Sequence, residues 1–422
     1  MGLDPTPSSA VELDAALVAR LDPSGQFTAT ADLGGQLERG WEQAAAALDG
    51  VSVLGAGEGA VDGVIACGMG GSAIGGDVVR ACIVDRLGVP FEVVRGYDLP
   101  AWASPRTLVV GVSYSGDTAE TLSCVREALA RGCRVVAVAS GGELSALARE
   151  RGLPLIPVSG GLQPRAALGY LVASLAALLE RVGLVDGIGG QVAEASALAR
   201  RLATELAPDV PESDNVAKRL ARRLHGRVPL IYGAALAAPA ARRWKTQINE
   251  NANTPAFFAE LPELNHNESS GWTADPAVSA SLHVVLLEDR LAGPPLRQRA
   301  ALTRELVSAY AAGVDVVESR GDAPLARLLS LSTVGDHASL YLALLYGLDP
   351  ATIEAVTWLK RRMAGEELAP PSPAGPSAPP SGGSLSQDSV PGSPDELSAS
   401  RDGSESLGHT FADVVGGETE TV

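Results

Sequence analysis

Aromatic side chains make up only 4 % of the 422 residues, so any core has to be assembled from Ala, Leu and Val. Lysine is scarce too: Lys218, Lys245 and Lys360 are the only three among 33 basic residues. The four cysteines, Cys67, Cys82, Cys124 and Cys133, are irregularly spaced and form no CxxC. That spacing argues against a disulfide framework or a cysteine zinc cluster and points to a reducing cytoplasm. The start, Met1 to Pro5, has no basic region followed by an apolar stretch, so no signal peptide is expected. The apolar runs at 166–179 and 228–241 are about 14 residues long, too short to span a bilayer, and read as buried core. Positive charge is also short, with 50 acids against 33 bases and a net charge of −17. A chain so acidic lacks the basic face that grips nucleic acid or an anionic membrane.

The acid is unevenly placed. From Ala364 to Val422 there are ten acids and one base, Arg401, which gives −9 and leaves −8 for residues 1–363. The same segment holds eight of the 28 prolines. Such composition cannot bury enough apolar surface to offset about 1–2 kcal/mol of backbone entropy per residue. A disordered tail is therefore expected over 366–422, with Phe411–Val415 its one short apolar cluster.

The body reads as strand–helix alternation. Residues 1–50 are expected to be a helical segment. Short apolar strands at Val61–Ala66, Phe91–Val94, Thr107–Val112, Val135–Ala139 and Leu155–Val158 alternate with helices, a first subdomain over 51–184. Residues 185–224 read as bridging helices. A second subdomain over 225–365 repeats the theme, with strands at Val228–Gly233, Val284–Leu287 and Val314–Glu318. A helix–Gly–strand unit recurs around Gly132 and Gly313. Unpatterned apolar strands between helices imply parallel sheets covered on both faces, an α/β class with two tandem doubly wound subdomains.

Two loops carry anion-binding chemistry. Gly68-Met69-Gly70-Gly71-Ser72 lies between a strand and a helix, where backbone N–H groups and the helix dipole can hold an anion. Ser113-Tyr114-Ser115-Gly116-Asp117-Thr118 ends another strand and opens another helix, with three hydroxyls beside free N–H groups. Together they make a neutral, donor-rich nest for a phosphate dianion, built from Gly70, Gly71, Ser72, Ser113, Ser115 and Thr118. The looser dinucleotide fingerprint Gly68-x-Gly70-x-x-Ala73 also fits, but the strand that should end in an acid ends in Val94-Arg95. No P-loop lysine follows.

These two loops resemble the sugar isomerase (SIS) fold, whose members bind phosphosugars. Asn249-Glu250-Asn251-Ala252-Asn253, then Glu263-Leu264-Asn265-His266-Asn267-Glu268, Gly347-Leu348-Asp349-Pro350 and Lys360, narrow the resemblance to the bifunctional phosphoglucose/phosphomannose isomerase family over roughly 40–363. The resemblance implies a homodimer that interconverts glucose 6-phosphate or mannose 6-phosphate with fructose 6-phosphate. No metal and no cofactor are expected. It implies Glu250 as the proton-transferring base and His266 as the ring-opening acid/base, reaching across a dimer interface. Lys360 would assist at the ring oxygen, and Arg165 would stabilise the enediolate. Such chemistry needs one carboxylate, one ring-opening group and a cation near the developing oxyanion. Two positions depart from the family pattern: Asn253 stands where a lysine is common, and Ser269-Ser270 where apolar residues are usual. They leave the glucose or mannose preference open. The alternatives are a non-catalytic phosphosugar sensor, which would not need Glu250 and His266, and an NADP-linked reductase.

Overall fold

Asp14 opens the fold: its carboxylate accepts the Leu17 N–H at 2.8 Å and caps α1 (Ala15–Leu21). The computed structural model describes residues 11–53, 60–363 and 365–372. Most of the expected acidic tail, including Phe411–Val415, lies outside the described residues. After α1 come α2 (Gln26–Ala31) and α3 (Leu33–Leu48). The first half then runs β1 (Gly63–Cys67), α4 (Gly70–Ile83), β2 (Phe91–Val94), β3 (Thr107–Val112), α5 (Ala119–Ala130), β4 (Arg134–Ala139), α6 (Gly142–Arg151) and β5 (Leu155–Pro157). These strands pair in parallel in the order β2-β1-β3-β4-β5.

A 3₁₀ turn at Pro164–Ala166 leads to α7 (Leu168–Arg181), α8 (Ile188–Glu205) and α9 (Val216–Leu224). The second half runs β6 (Val228–Ala234), α10 (Ala238–Asn251), β7 (Phe257–Leu261), α11 (Glu268–Gly271), α12 (Pro276–Ser279), β8 (Leu282–Glu288), α13 (Pro294–Ser308), β9 (Gly313–Glu318), α14 (Pro324–Leu345) and α15 (Glu354–Met363). Its sheet is also parallel, in the order β7-β6-β8-β9, which repeats the winding of the first.

Alternation along the strands explains the layers. Val64 and Ala66 of β1 face a large core shared with α3, α4, α7, α8, α10 and α14, to which Ile231 and Val285 of the second sheet also contribute. Ile65 and Cys67 face the other way, onto Leu122 and Val125 of α5 and Leu144 of α6. In the second sheet Tyr232, Val284 and Leu286 turn outward onto Ala300 and Val307 of α13. Each sheet is thus covered on both faces, and one helical layer serves both inner faces.

Three elements differ from the sequence reading. The helix expected after Ser72 starts at Gly70, so Gly70 and Gly71 lie in its first turn. The strand β7 went unread: it is an edge strand whose Phe257 and Glu260 are exposed, so its residues lack the apolar run of the central strands. The helix α14 also went unread. It is buried on all sides, and its polar residues are not gathered on one face. Among the described residues it is the one helix long and apolar enough to cross a membrane by length and composition, and its apolar window is wholly buried within the protein. Gly132 and Gly313 also prove unlike. Gly132 takes φ +70° just after α5. Gly313 begins β9, where a Cβ would stand 2.7 Å from the His283 ring; α13 has already ended at Ser308.

The buried α14 holds α10 in place. Trp244 of α10 is fully buried and donates its indole N–H to the Leu331 carbonyl at 2.8 Å. Its ring lies where a Cβ on Gly335 would be, at 2.2 Å from Nε1. No larger residue fits at 335 without moving α10.

Also on α14, His337 is buried with Nδ1 2.9 Å from the Thr333 carbonyl. Burial pushes its imidazole below the ordinary range, against the opposing pull of that carbonyl and of Asp336. The unfolded chain therefore takes up this proton first. The contribution of His337 to stability is intact above about pH 6.5 and is lost progressively as pH falls below it. Thermal unfolding between pH 7.5 and 5 should show a falling Tm, and His337→Gln should flatten part of that slope. An identical slope in the variant would contradict the assignment.

Candidate active site

The winding reverses between β1 and β3, and the loops that leave their C-terminal ends flank the crevice there. In open α/β sheets this is where ligands sit. The loop after β1 runs directly into α4, and the loop after β3 into α5; neither helix has a side-chain N-cap hydrogen bond. Their first-turn N–H groups and dipoles point at the same crevice. The two loops are joined by the Tyr114 N–H, which donates to Ser72 Oγ at 3.3 Å.

The six expected phosphate residues do not present themselves alike. Gly70 and Ser115 are exposed, while Gly71 and Thr118 are half-buried. Ser72 and Ser113 are buried. Ser113 Oγ lies 2.8 Å from Thr118 Oγ1 and accepts the Gly116 N–H at 3.1 Å. Its hydroxyl shapes the loop from beneath and orients Thr118. Gly70 adopts φ +50°, the left-handed region that glycine enters without penalty.

Gly71 links this loop to the next part of the site. A Cβ there would stand 2.8 Å from the Pro164 carbonyl oxygen and 3.3 Å from Arg165 Cα. The 3₁₀ turn that carries Arg165 therefore packs against the glycine loop, backbone to backbone. The Arg165 side chain is only 4 % exposed. Its Nε donates to Asn251 Oδ1 at 2.7 Å and its Nη2 to the Pro350 carbonyl at 2.7 Å. Its Nη1 stands 3.6 Å from Glu250 Oε2. Burial pulls the Arg165 guanidinium below its usual range, and Glu250 and Asp349 pull it back up.

Glu250 occupies the last turn of α10, with a third of its side chain exposed toward solvent. The chain then turns through Asn253, which takes φ +50°, a conformation asparagine tolerates better than most residues. Asn249 holds that turn by donating its amide to the Thr254 carbonyl at 2.8 Å. A third quoted motif meets the site here as well, because Pro350 supplies the carbonyl that anchors Arg165.

Among the described residues, the remaining two expected ones are not bonded to the Glu250–Arg165 pair. His266 ends a 3₁₀ turn after β7 and is exposed. Lys360 is exposed on α15, a helix with no buried residue. Within this chain, among the described residues, no hydrogen bond or ion pair joins either one to Glu250 or Arg165. Glu268, close to His266 in sequence, accepts the Tyr232 hydroxyl at 2.9 Å. Sequence reasoning gave no role to Asn251, Arg243 or Asp336: Asn251 and Arg243 bond Arg165 across 86 and 78 residues, and Asp336 bonds Arg243 across 93, so none of the three has a local signature.

A sequence model described as the bacterial phospho-glucose isomerase C-terminal SIS domain matches residues 213–363. The bifunctional phosphoglucose/phosphomannose isomerase of Caldicellulosiruptor bescii is 39 % identical over 291 residues, 69 % of this chain and 86 % of that protein. The enzyme of the same name from Aquifex aeolicus is 32 % identical over 274 residues, 65 % of this chain and 81 % of that protein. Among solved structures, a hypothetical protein from Thermus thermophilus shares the fold with a TM-score of 0.66 at 17 % identity, covering 84 % of this chain and 93 % of that one. With its two tandem parallel sheets and relatives matched over most of their length, the chain belongs to the bifunctional phosphoglucose/phosphomannose isomerase family.

Proposed function

We propose that the protein is an aldose–ketose isomerase that interconverts glucose 6-phosphate and/or mannose 6-phosphate with fructose 6-phosphate. The observation that carries this reading is the Glu250–Arg165 pair, 3.6 Å apart, with Arg165 on the turn that packs against the glycine-rich loop. Glu250 takes the proton from C2 of the open-chain aldose phosphate, and the C–H electron pair becomes the enediolate. Arg165 Nη1 faces the developing negative oxygen, in a site where burial strengthens its field. Glu250 then returns the proton to C1 while the C2 hydroxyl proton passes to O1, which leaves the C1 hydroxyl and C2 carbonyl of the ketose. The phosphate is held by the N–H groups of Gly70 and Gly71 and by Ser72, Ser115 and Thr118, with Ser113 bracing Thr118. A sensor of phosphosugars would have no use for a carboxylate set beside a buried arginine.

His266, supplied by a second copy in a cytoplasmic homodimer, opens the sugar ring, and Lys360 assists at the ring oxygen. The exposure of His266 in this chain, where among the described residues it makes no hydrogen bond or ion pair to Glu250 or Arg165, supports that arrangement. Mixing Glu250→Gln with His266→Ala subunits, each inactive alone, should restore activity through hybrid dimers in which one site has both native residues. A mixture as inactive as its components would contradict the shared site.

A coupled assay with both aldose phosphates, run in chelator, tests the reaction itself. Turnover of at least one sugar phosphate is expected, and Glu250→Gln should lower kcat by roughly 10²–10⁴-fold, the usual contribution of a positioned proton-transfer group. Full activity in that variant would remove Glu250 as the base.

A further inference from the structure

We propose that Asn251 is a positioning residue for the isomerisation, acting through Arg165; the inference rests on Glu250 and Arg165 being the reacting pair. A guanidinium only donates hydrogen bonds. The Asn251 atom that meets Arg165 Nε at 2.7 Å is therefore its carbonyl oxygen. Its amide nitrogen is thereby turned to Ser339 Oγ, to which it donates at 2.8 Å. Ser339 in turn donates to the Asp336 carbonyl at 2.7 Å. The polarity of this relay is fixed from end to end, so Asn251 has one orientation available to it.

A second route reaches the same arginine. Asp336 accepts from Arg243 Nε at 3.1 Å and Nη2 at 2.8 Å. Nη2 of Arg243 also donates to the main-chain carbonyl of Arg165 at 2.9 Å. Asn251, Ser339, Asp336 and Arg243 are all at most 3 % exposed. Side chain and backbone of Arg165 are thus both tied to residues 336 and 339 of the buried α14. Two edges of the guanidinium are occupied by Asn251 and Pro350, which leaves Nη1 facing Glu250. Residues 250 and 251 are successive on a helix, roughly 100° apart around its axis. The same helix end therefore presents the base to the crevice and the tether to the core, and any shift of one moves the other.

A residue that only supported folding would lower stability and leave the coupling to Arg165 untouched. The test is a double-mutant cycle in the full-length protein, with kcat and KM measured for the sugar phosphate and folding checked by thermal unfolding. Asn251→Leu should lower kcat by about 10²-fold, the scale of an ångström-sized misplacement, with KM changed less than about threefold. In an Arg165→Ala background the same substitution should cost less than about twofold. Asn251→Asp, which keeps an acceptor for Nε, should recover at least about tenfold of the lost kcat. If Asn251→Leu fails to fold, Ser339→Ala replaces it in the cycle; it frees the Asn251 amide and should lower kcat several-fold, again only when Arg165 is present. Equal losses with and without Arg165, or a rise in KM at constant kcat, would overturn the positioning role while leaving the reacting pair in place. Native turnover by both Arg165→Ala and Glu250→Gln would instead overturn the pair, and the inference with it.

Discussion

A guanidinium taken out of water costs several kcal/mol unless its donors are met by acceptors, and Arg165 is taken out of water almost completely. Much of the arrangement around the crevice follows from that demand. Acceptors for this one side chain come from the end of α10, from the loop before α15 and, through relays, from the middle of α14. None of these can shift without leaving a buried donor unpaired. The result is a cation whose field is little screened, set against a carboxylate that keeps contact with solvent.

The proposed anion site is compatible with an acidic protein. About half of the net charge, −9 of −17, belongs to the segment from Ala364 onward, and the remainder of the chain still carries −8. No basic surface is needed when two helix N-termini converge on one crevice. The N–H groups of α4 and α5 are unclaimed by side-chain caps, and in the proposed site they act together with hydroxyls. Gly71 lets the Arg165 turn approach the glycine loop closely, so the proposed anion nest and the proposed reacting pair share a wall.

The parts of this architecture that were legible in the sequence are local ones. The strand–loop–helix units around Gly68–Ser72 and Ser113–Thr118 announce themselves by composition within a dozen residues, and Glu250 stands in a recognisable polar turn. What escaped depends on distant partners or on missing contrast. The helix α14 has no polar face to give it a period, so its apolar run carries no helical signature. The strand β7 lies at a sheet edge and lacks the apolar run of its neighbours. Asn251 is part of the quoted Asn-rich motif, yet its role follows only from Ser339, 88 residues away, and Arg165, 86 residues away. Gly313 looked like the counterpart of Gly132 because the pattern of neighbours matches, although it answers a side-chain clash and not a backbone turn.

The central claim is that one crevice brings the anion nest and the Glu250–Arg165 pair onto the two ends of a single phosphosugar. The most direct measurement is a crystal structure with a five-carbon sugar phosphate hydroxamate, a mimic of the planar enediolate. The phosphate should lie on Gly70–Ser72 and Ser115–Thr118, with the hydroxamate oxygens within hydrogen-bonding distance of Glu250 and Arg165 Nη1. A phosphate bound elsewhere, or a hydroxamate turned away from that pair, would contradict the account.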